Sequence, residues 1–348
     1  MLQRVTCDNE NCQLGLEECG ECEDGMQTFK TDLISICGKE GITHVKYKQW
    51  MFTDNDQKQD ITAEVTEYTE NLGNSLADYR THKFLEKKQI PFVMGLRTTL
   101  PENEVLVSMD YAENYSVVNQ DEVQQAYFRN KQVSMLGVGI KYHKDQEIKH
   151  QSFVILSNDT RHDTAAVYTG YQKIQNWIQS EVPEVKHVHI VSDGCAAQFS
   201  NIANHEADFG HTASWHFTPT GHGKSEVDGI NGVLKKQARE ESLRLGDRNF
   251  ITSAEGFLKF METHKTSSST GRFKAIPLLS TSEDLQETNN NEILKQRWAS
   301  AVQIKGTQKF HSFEHDPNST KHLFVRYFSS SDEFKRVKSC KCFVCFIL

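Results

Sequence analysis

The sequence predicts an α/β protein built on a mixed sheet, with strands and helices in the order β-β-β-α-β-α-β-α. Two observations carry this expectation. Apolar runs of strand length follow one another closely from about residue 101, and beyond them helical and strand-like stretches alternate. Three adjacent strands followed by alternating helix and strand place helices on the faces of one sheet.

The first three strands are read from EVLVSMDY, QVSMLGVGIKYH and HQSFVILSND, with antiparallel pairing expected. The next segment, TAAVYTGYQKIQNWIQSEV, sets Val167, Tyr171, Ile174, Trp177 and Ile178 at helical spacing and stops before Pro183. VKHVHIVSD is the fourth strand, residues 203–209 a short helix, ASWHFTPT the fifth strand, and SEVDGINGVLKKQAREESLRL a helix despite Gly229 and Gly232. Ahead of this block, residues 60–90 carry Ile61, Val65, Leu72, Leu76, Tyr79 and Leu85 mostly at three-, four- and seven-residue steps, a helix with a break expected at Gly73. After it, helices are expected near 253–263 and 282–302, and a strand at 322–330. The resulting organisation is a Cys-rich region at 1–45, a helical linker at 46–100, the α/β domain at 101–246 and a C-terminal α+β extension at 247–348.

Composition excludes several classes. The chain is 37% hydrophobic and 25% charged with 6 prolines, which suits a globular protein rather than a disordered or fibrous one. It has neither a membrane-length apolar run nor an N-terminal signal-type segment, so an intracellular protein is expected. The formal charge of −8 runs against a broad nucleic-acid footprint and leaves room only for a local basic patch.

Asp110 closes the first expected strand, Asp193 the fourth, and Glu226 and Asp228 open the helix after the fifth. The first and fourth strands are neighbours in such a sheet, so Asp110 and Asp193 meet and the last helix adds a third carboxylate. Clustered carboxylates repel one another unless a cation is present. Mg²⁺ or Mn²⁺ takes oxygen ligands, and two such ions about 3.5–4 Å apart can activate a water or a DNA 3′-hydroxyl. A lone aspartate after a strand is ordinarily a turn former or helix cap, so the conjunction of three carries the metal reading. Asp228 has the better spacing for the third position, while Glu226 would point to a different side of the helix. Glu113 and Asn114, just past the first strand, are candidate substrate contacts.

Between Asp110 and Asp193 lie 82 residues, and between Asp193 and Asp228 lie 34. Together with MDYAENYS, QDEVQQAYFRNKQV, SDGCAAQFSN and HGKSEVDGINGVLKK, this resembles the DDE/D transposase and integrase superfamily, in particular transposon-derived proteins of animal genomes, over roughly residues 100–240. The strand order is also that of the ribonuclease H-like fold. The resemblance implies that Asp110, Asp193 and Asp228 bind catalytic Mg²⁺ or Mn²⁺, that DNA is the substrate, and that the protein works in the nucleus. Two other readings stay open: a domesticated, non-catalytic DNA- or protein-binding derivative, and a ribonuclease H-like nuclease.

Eight of the nine cysteines cluster at the two ends, with Cys195 alone between them, and CDNENCQLGLEECGEC has the form C-x4-C-x6-C-x2-C. Four thiolates from Cys7, Cys12, Cys19 and Cys22 can close a structural Zn²⁺ site, with Cys37 or a histidine as substitutes. The first thirty residues hold seven Asp/Glu against two Lys/Arg, so a protein contact or a homodimer through this region is as plausible as DNA binding. His205, His211, His216 and His222 lack the i, i+4 spacing of a helical metal pair. His222 and Lys224 stand apart, because TGHGKSEVD is a Gly-flanked loop entering a helix, where backbone N–H groups and a lysine can hold phosphate. Lys235 and Lys236 extend a basic strip toward DNA, or else belong to a solvated helix face with Glu240 and Glu241. The final CFIL formally matches a prenylation box, but a Cys-rich, apolar tail is also what an irregular gene end or truncated reading frame produces.

Overall fold

A computed structural model describes residues 12, 19–51, 57–118, 131–193, 202, 204–223, 226–264, 275–319 and 321–339. Cys7, Cys195, Lys224 and the CFIL tail lie outside the described residues. The chain divides into two compact units, residues 1–87 and 88–348.

In the first unit, helix α1 (Gly20–Lys39) is followed by an antiparallel ribbon of β1 (His44–Met51) and β2 (Gln57–Glu64) and by the start of α2 (Val65–Thr98). The ribbon occupies ground where the helical linker was expected. Ile61 and Val65 fit a four-residue step, but Ile61 and Ala63 also alternate with exposed Asp60, Thr62 and Glu64, and that period of two prevails. Nor does Gly73 break α2. A Cβ there would stand 2.3 Å from Lys30 Cε, and Lys30 pairs with Glu70 at 2.8 Å. The glycine makes room for a side chain instead of ending a helix.

The second unit takes in the end of α2 and the remaining elements. In order these are β3 (Glu104–Tyr111), β4 (Tyr115–Ser116), β5 (Gln132–Lys144), β6 (Glu147–Ser157), α3 (Thr164–Glu181), β7 (His187–Ser192), α4 (His205–Phe209), β8 (Thr212–Phe217), α5 (Glu226–Leu245), α6 (Ala254–His264), β9 (Ala275–Ser280), α7 (Ser282–Asn290), α8 (Glu292–Ala299), β10 (Ser312–His315), β11 (His322–Arg326) and β12 (Lys335–Lys338). Its strands form one mixed sheet in the order β12-β11-β10-β8-β7-β3-β5-β6-β9, with β4 paired to β5. β7 is parallel to both β3 and β8, while β3, β5 and β6 form an antiparallel meander. Asp145 (φ 55°) and Gln146 (φ 63°) make the two-residue turn between β5 and β6, with the left-handed backbone that suits a hairpin's twist.

Alternation along the strands assigns the two faces. Val105, Val107, Met109, Val138, Ile140, Val188 and Ile190 pack with Val167, Tyr171, Ile174 and Ile178 of α3, so the stripe read from the sequence is the buried one. Asp163 caps α3 by accepting from the Ala166 amide at 3.0 Å. On the opposite face Val133, Met135 and Val154 meet Ile230 and Ala238 of α5 and Phe257 and Phe260 of α6, and Leu106 and Val191 meet Val93 of α2.

Residue 246 marks no structural division. β9 pairs with β6 at one edge and β10 pairs with β8 at the other, so the expected extension completes the sheet on both sides. The helix expected over 282–302 is two helices, because Asn291 accepts from the amides of Ile293 (3.0 Å) and Leu294 (3.1 Å) and starts α8 afresh. Among the described residues, no helix is long and apolar enough to cross a membrane.

Candidate functional site

β3 and β7 run parallel with Ser108 beside Val191, and the same register carried two residues further sets Asp110, still within β3, level with Asp193, just past the end of β7. Asp110 lies opposite Gly137 of β5, and cross-strand partners project to the same face. Gly137 is where α5 comes down on that face. A Cβ at Gly137 would lie 2.4 Å from Val227 Cγ1, and one at Gly139 would lie 2.7 Å from Glu226 Oε1. Two glycines in the buried stretch of this strand thus let the first turn of α5 approach the sheet beside Asp110. That turn carries Asp228, exposed on the helix, between buried Val227 and Ile230.

The electrostatics tie the three acids together. Burial, then the charge of Asp193, then that of Asp228, pushes the Asp110 carboxyl up to about 6, against a hydrogen bond from the Tyr111 backbone. Their oxygens are not closed into a cage: among the described residues, the three-residue group with all ligand atoms within 4.8 Å of one another is Cys12, Cys19 and Cys22.

Glu226, two residues before Asp228, belongs to another environment. Its Oε1 lies 3.4 Å from His150 Nε2, and the His150 hydrogen bond first, with His150, Lys141 and Arg97 charge behind it, holds its carboxyl below the usual range. The rim residues are fastened to their neighbours. The Glu113 carbonyl accepts from Lys235 Nζ at 3.0 Å, and Asn114 donates to Gln132 Oε1 at 3.3 Å while its Oδ1 meets His162 Nε2 at 3.2 Å. Lys235 therefore anchors the loop after β3 to α5, and Lys236 is an exposed side chain 3.9 Å from Glu240. His222 donates its backbone N–H to Pro219 in a turn, and a Cβ at the following Gly223 would stand 3.5 Å from Asp193 Cβ.

Sequence reading missed His162, which stacks on Tyr111 with ring centroids 3.9 Å apart and meets Ser134 Oγ at 3.1 Å. It also missed Asn231. The glycines of LGVGI were the available signal, since glycine inside a strand marks a close approach. The histidines left out of the metal reading are structural. His205 Nε2 meets Tyr171 Oη at 2.9 Å and burial pushes its pKa down to about 3; His216 joins Ser214, His189 and Ser329 in a buried network.

In the first unit, Cys19 sits at the N-terminus of α1, Cys22 is buried in its first turn, and Cys12 Sγ lies 3.6 Å from Cys22 Sγ. The three sulfurs converge closely enough to hold a metal ion. A helix N-terminus favours the thiolate form that such binding needs. Cys37 is on the same helix fifteen residues beyond Cys22, about 22 Å at 1.5 Å per residue, which removes it as a fourth ligand to this group.

No curated protein and no solved structure matches the chain. A family described as a domain of unknown function, DUF8700, matches residues 1–80, close to the extent of the first unit. A second family model covers residues 89–329, more than half of the chain and nearly all of the large sheet with its carboxylates; the chain belongs to that family, described as a domain of unknown function, DUF8701.

Proposed function

We propose that this chain is a DDE/D transposase-like protein with a ribonuclease H-like core, acting on DNA by metal-dependent phosphodiester cleavage and strand transfer. The observation that carries this reading is the placement of Asp110, Asp193 and Asp228, from β3, β7 and α5, in one electrostatic field on one face of the sheet. The central order β6-β5-β3-β7-β8, a meander followed by two strands parallel to the first, supports the fold assignment. Oxygen-only donors suit Mg²⁺ or Mn²⁺, and the raised Asp110 pKa marks negative charge that a cation relieves. Divalent ions held there would neutralise charge on the phosphodiester and activate the attacking hydroxyl. The chain's own part is positioning: the sheet fixes Asp110 and Asp193, the Gly137 contact fixes the turn bearing Asp228, and Lys235 holds the Glu113 loop. His222 and Lys224, entering α5, are the proposed phosphate contacts.

The test is cleavage of labelled duplex DNA by the full chain with Mg²⁺ or Mn²⁺. Asp110→Asn, Asp193→Asn and Asp228→Asn should each cut activity by more than about 100-fold, beyond the loss expected from an outer-shell partner, while Glu226→Gln keeps most of it. Undiminished cleavage by Asp110→Asn would sink the proposal. One observation favours a non-catalytic derivative, the formal charge of −8, which runs against a broad nucleic-acid footprint. A wild-type chain that binds DNA and never cuts it would select that reading.

For the first unit the proposal is structural Zn²⁺ on Cys12, Cys19 and Cys22, with Cys7 as the fourth thiolate, giving a short segment the stability a small core cannot supply. Elemental analysis of the purified chain should find one zinc, lost in Cys22→Ser; metal-free wild-type protein would overturn this. DNA, and a protein partner or second copy at the Cys-rich region, are the partners this reading implies.

A further inference from the structure

Asn231 lies one turn beyond Asp228 on α5, where residues three apart are neighbours on the helix surface. Only 4% of the residue is exposed, and its Oδ1 is fully enclosed with no hydrogen-bond partner among the described residues. A buried amide oxygen with nothing to accept from is costly, and native chains keep such groups chiefly where an ion or a water completes them. The amide is also placed with care. Its Nδ2 and Oδ1 stand 2.6 and 2.9 Å from where a Gly137 Cβ would be, and Gly137 is the cross-strand partner of Asp110. Side chains of cross-strand partners share a face, with Cβ positions about 4.5–5.5 Å apart. Asn231 therefore fills the space beside Asp110 that a side chain at residue 137 would otherwise take.

We propose that Asn231 Oδ1 is a neutral oxygen ligand for a divalent cation shared with Asp110 and Asp228, an inference that rests on the cation-site reading above. The chemistry favours an amide at this position. Asp110, Asp193 and Asp228 already repel one another, so a further carboxylate would add to the repulsion in the empty site, whereas an amide oxygen adds a hard donor without charge. Glycine at 137 is then required twice over, for the approach of α5 and for the amide's room.

The test is a Mn²⁺ titration of the full chain, following free Mn²⁺ by electron paramagnetic resonance. Wild-type protein should show a site that Asp110→Asn abolishes. Asn231→Leu, branched in the same way though bulkier and free of the orphaned oxygen, should raise the Kd of that site about tenfold or more. Asn231→Ala, which cannot crowd Gly137, should do the same and serves if the leucine variant fails to fold. A site lost in Asp110→Asn but bound with wild-type affinity by both Asn231 variants overturns the role of Asn231 alone. A wild-type chain with no site sensitive to Asp110→Asn overturns the cation-site reading, and the inference with it.

Discussion

The Asp110 carboxyl ionises at a cost to folding. Its native pKa, about 6, lies above the ordinary carboxylate value of about 4, so the folded chain holds this proton more tightly than the unfolded chain does. The stability this contributes is complete below pH 4 and is lost as pH rises through 6. In buffer without divalent cations, Asp110→Asn should therefore raise the melting temperature at pH 7.5, by the equivalent of roughly 1 kcal/mol once solvent screening of a half-exposed group is allowed for. The advantage should vanish below pH 4. A variant no more stable than wild type at pH 7.5 counts against the account. Asp110 and Asp193 were legible in the sequence because each follows an apolar run directly. Glu226 and Asp228 could not be separated there; two positions turn about 200° around a helix, and the His150 and Gly139 contacts show which way Glu226 faces. Asn231 itself looks like an exposed asparagine among helix formers until its burial is known, and only the glycines of β5 hinted at a close approach there.

At the scale of elements, the meeting of α5 with β5 governs the site. Gly137→Ala would drive a methyl to within 2.4 Å of buried Val227 Cγ1, whereas Gly139→Ala meets the carboxylate end of Glu226, which can swing away. Gly137→Ala should cost about 1–3 kcal/mol, in the range of core overpacking, and weaken any activity that uses Asp228; Gly139→Ala should cost clearly less. Denaturant titration of both variants checks the order, and equal losses would refute it. The elements read correctly from sequence include β3, β5, β6 and α3, which have long periodic runs, and also β7, β8, α5 and α6. Two of those missed are short or contain a contrary residue. β10 has four residues, and β9 carries Pro277, which is tolerated because β9 is an edge strand.

Across the whole second unit, the carboxylates sit at the middle of the sheet, and both flanks depend on residues after 246. Residues 101–246 expressed alone should therefore remain unfolded or aggregate, while 88–339 should fold cooperatively, as circular dichroism with thermal melting can establish. A stable, monomeric 101–246 fragment would show that the flanking strands are dispensable. The same arrangement sets a schedule for synthesis. Translation at about 5–20 residues per second takes roughly 3–14 s to pass from residue 246 to the end of β10 at His315, and until β9 and then β10 are made, β6 and β8 emerge with unpaired backbone along their outer sides. The nascent chain is thus most open to mispairing after its acidic residues are made and before its borders are sealed, which makes slow translation or chaperone shortage during that interval the chief hazard to its yield.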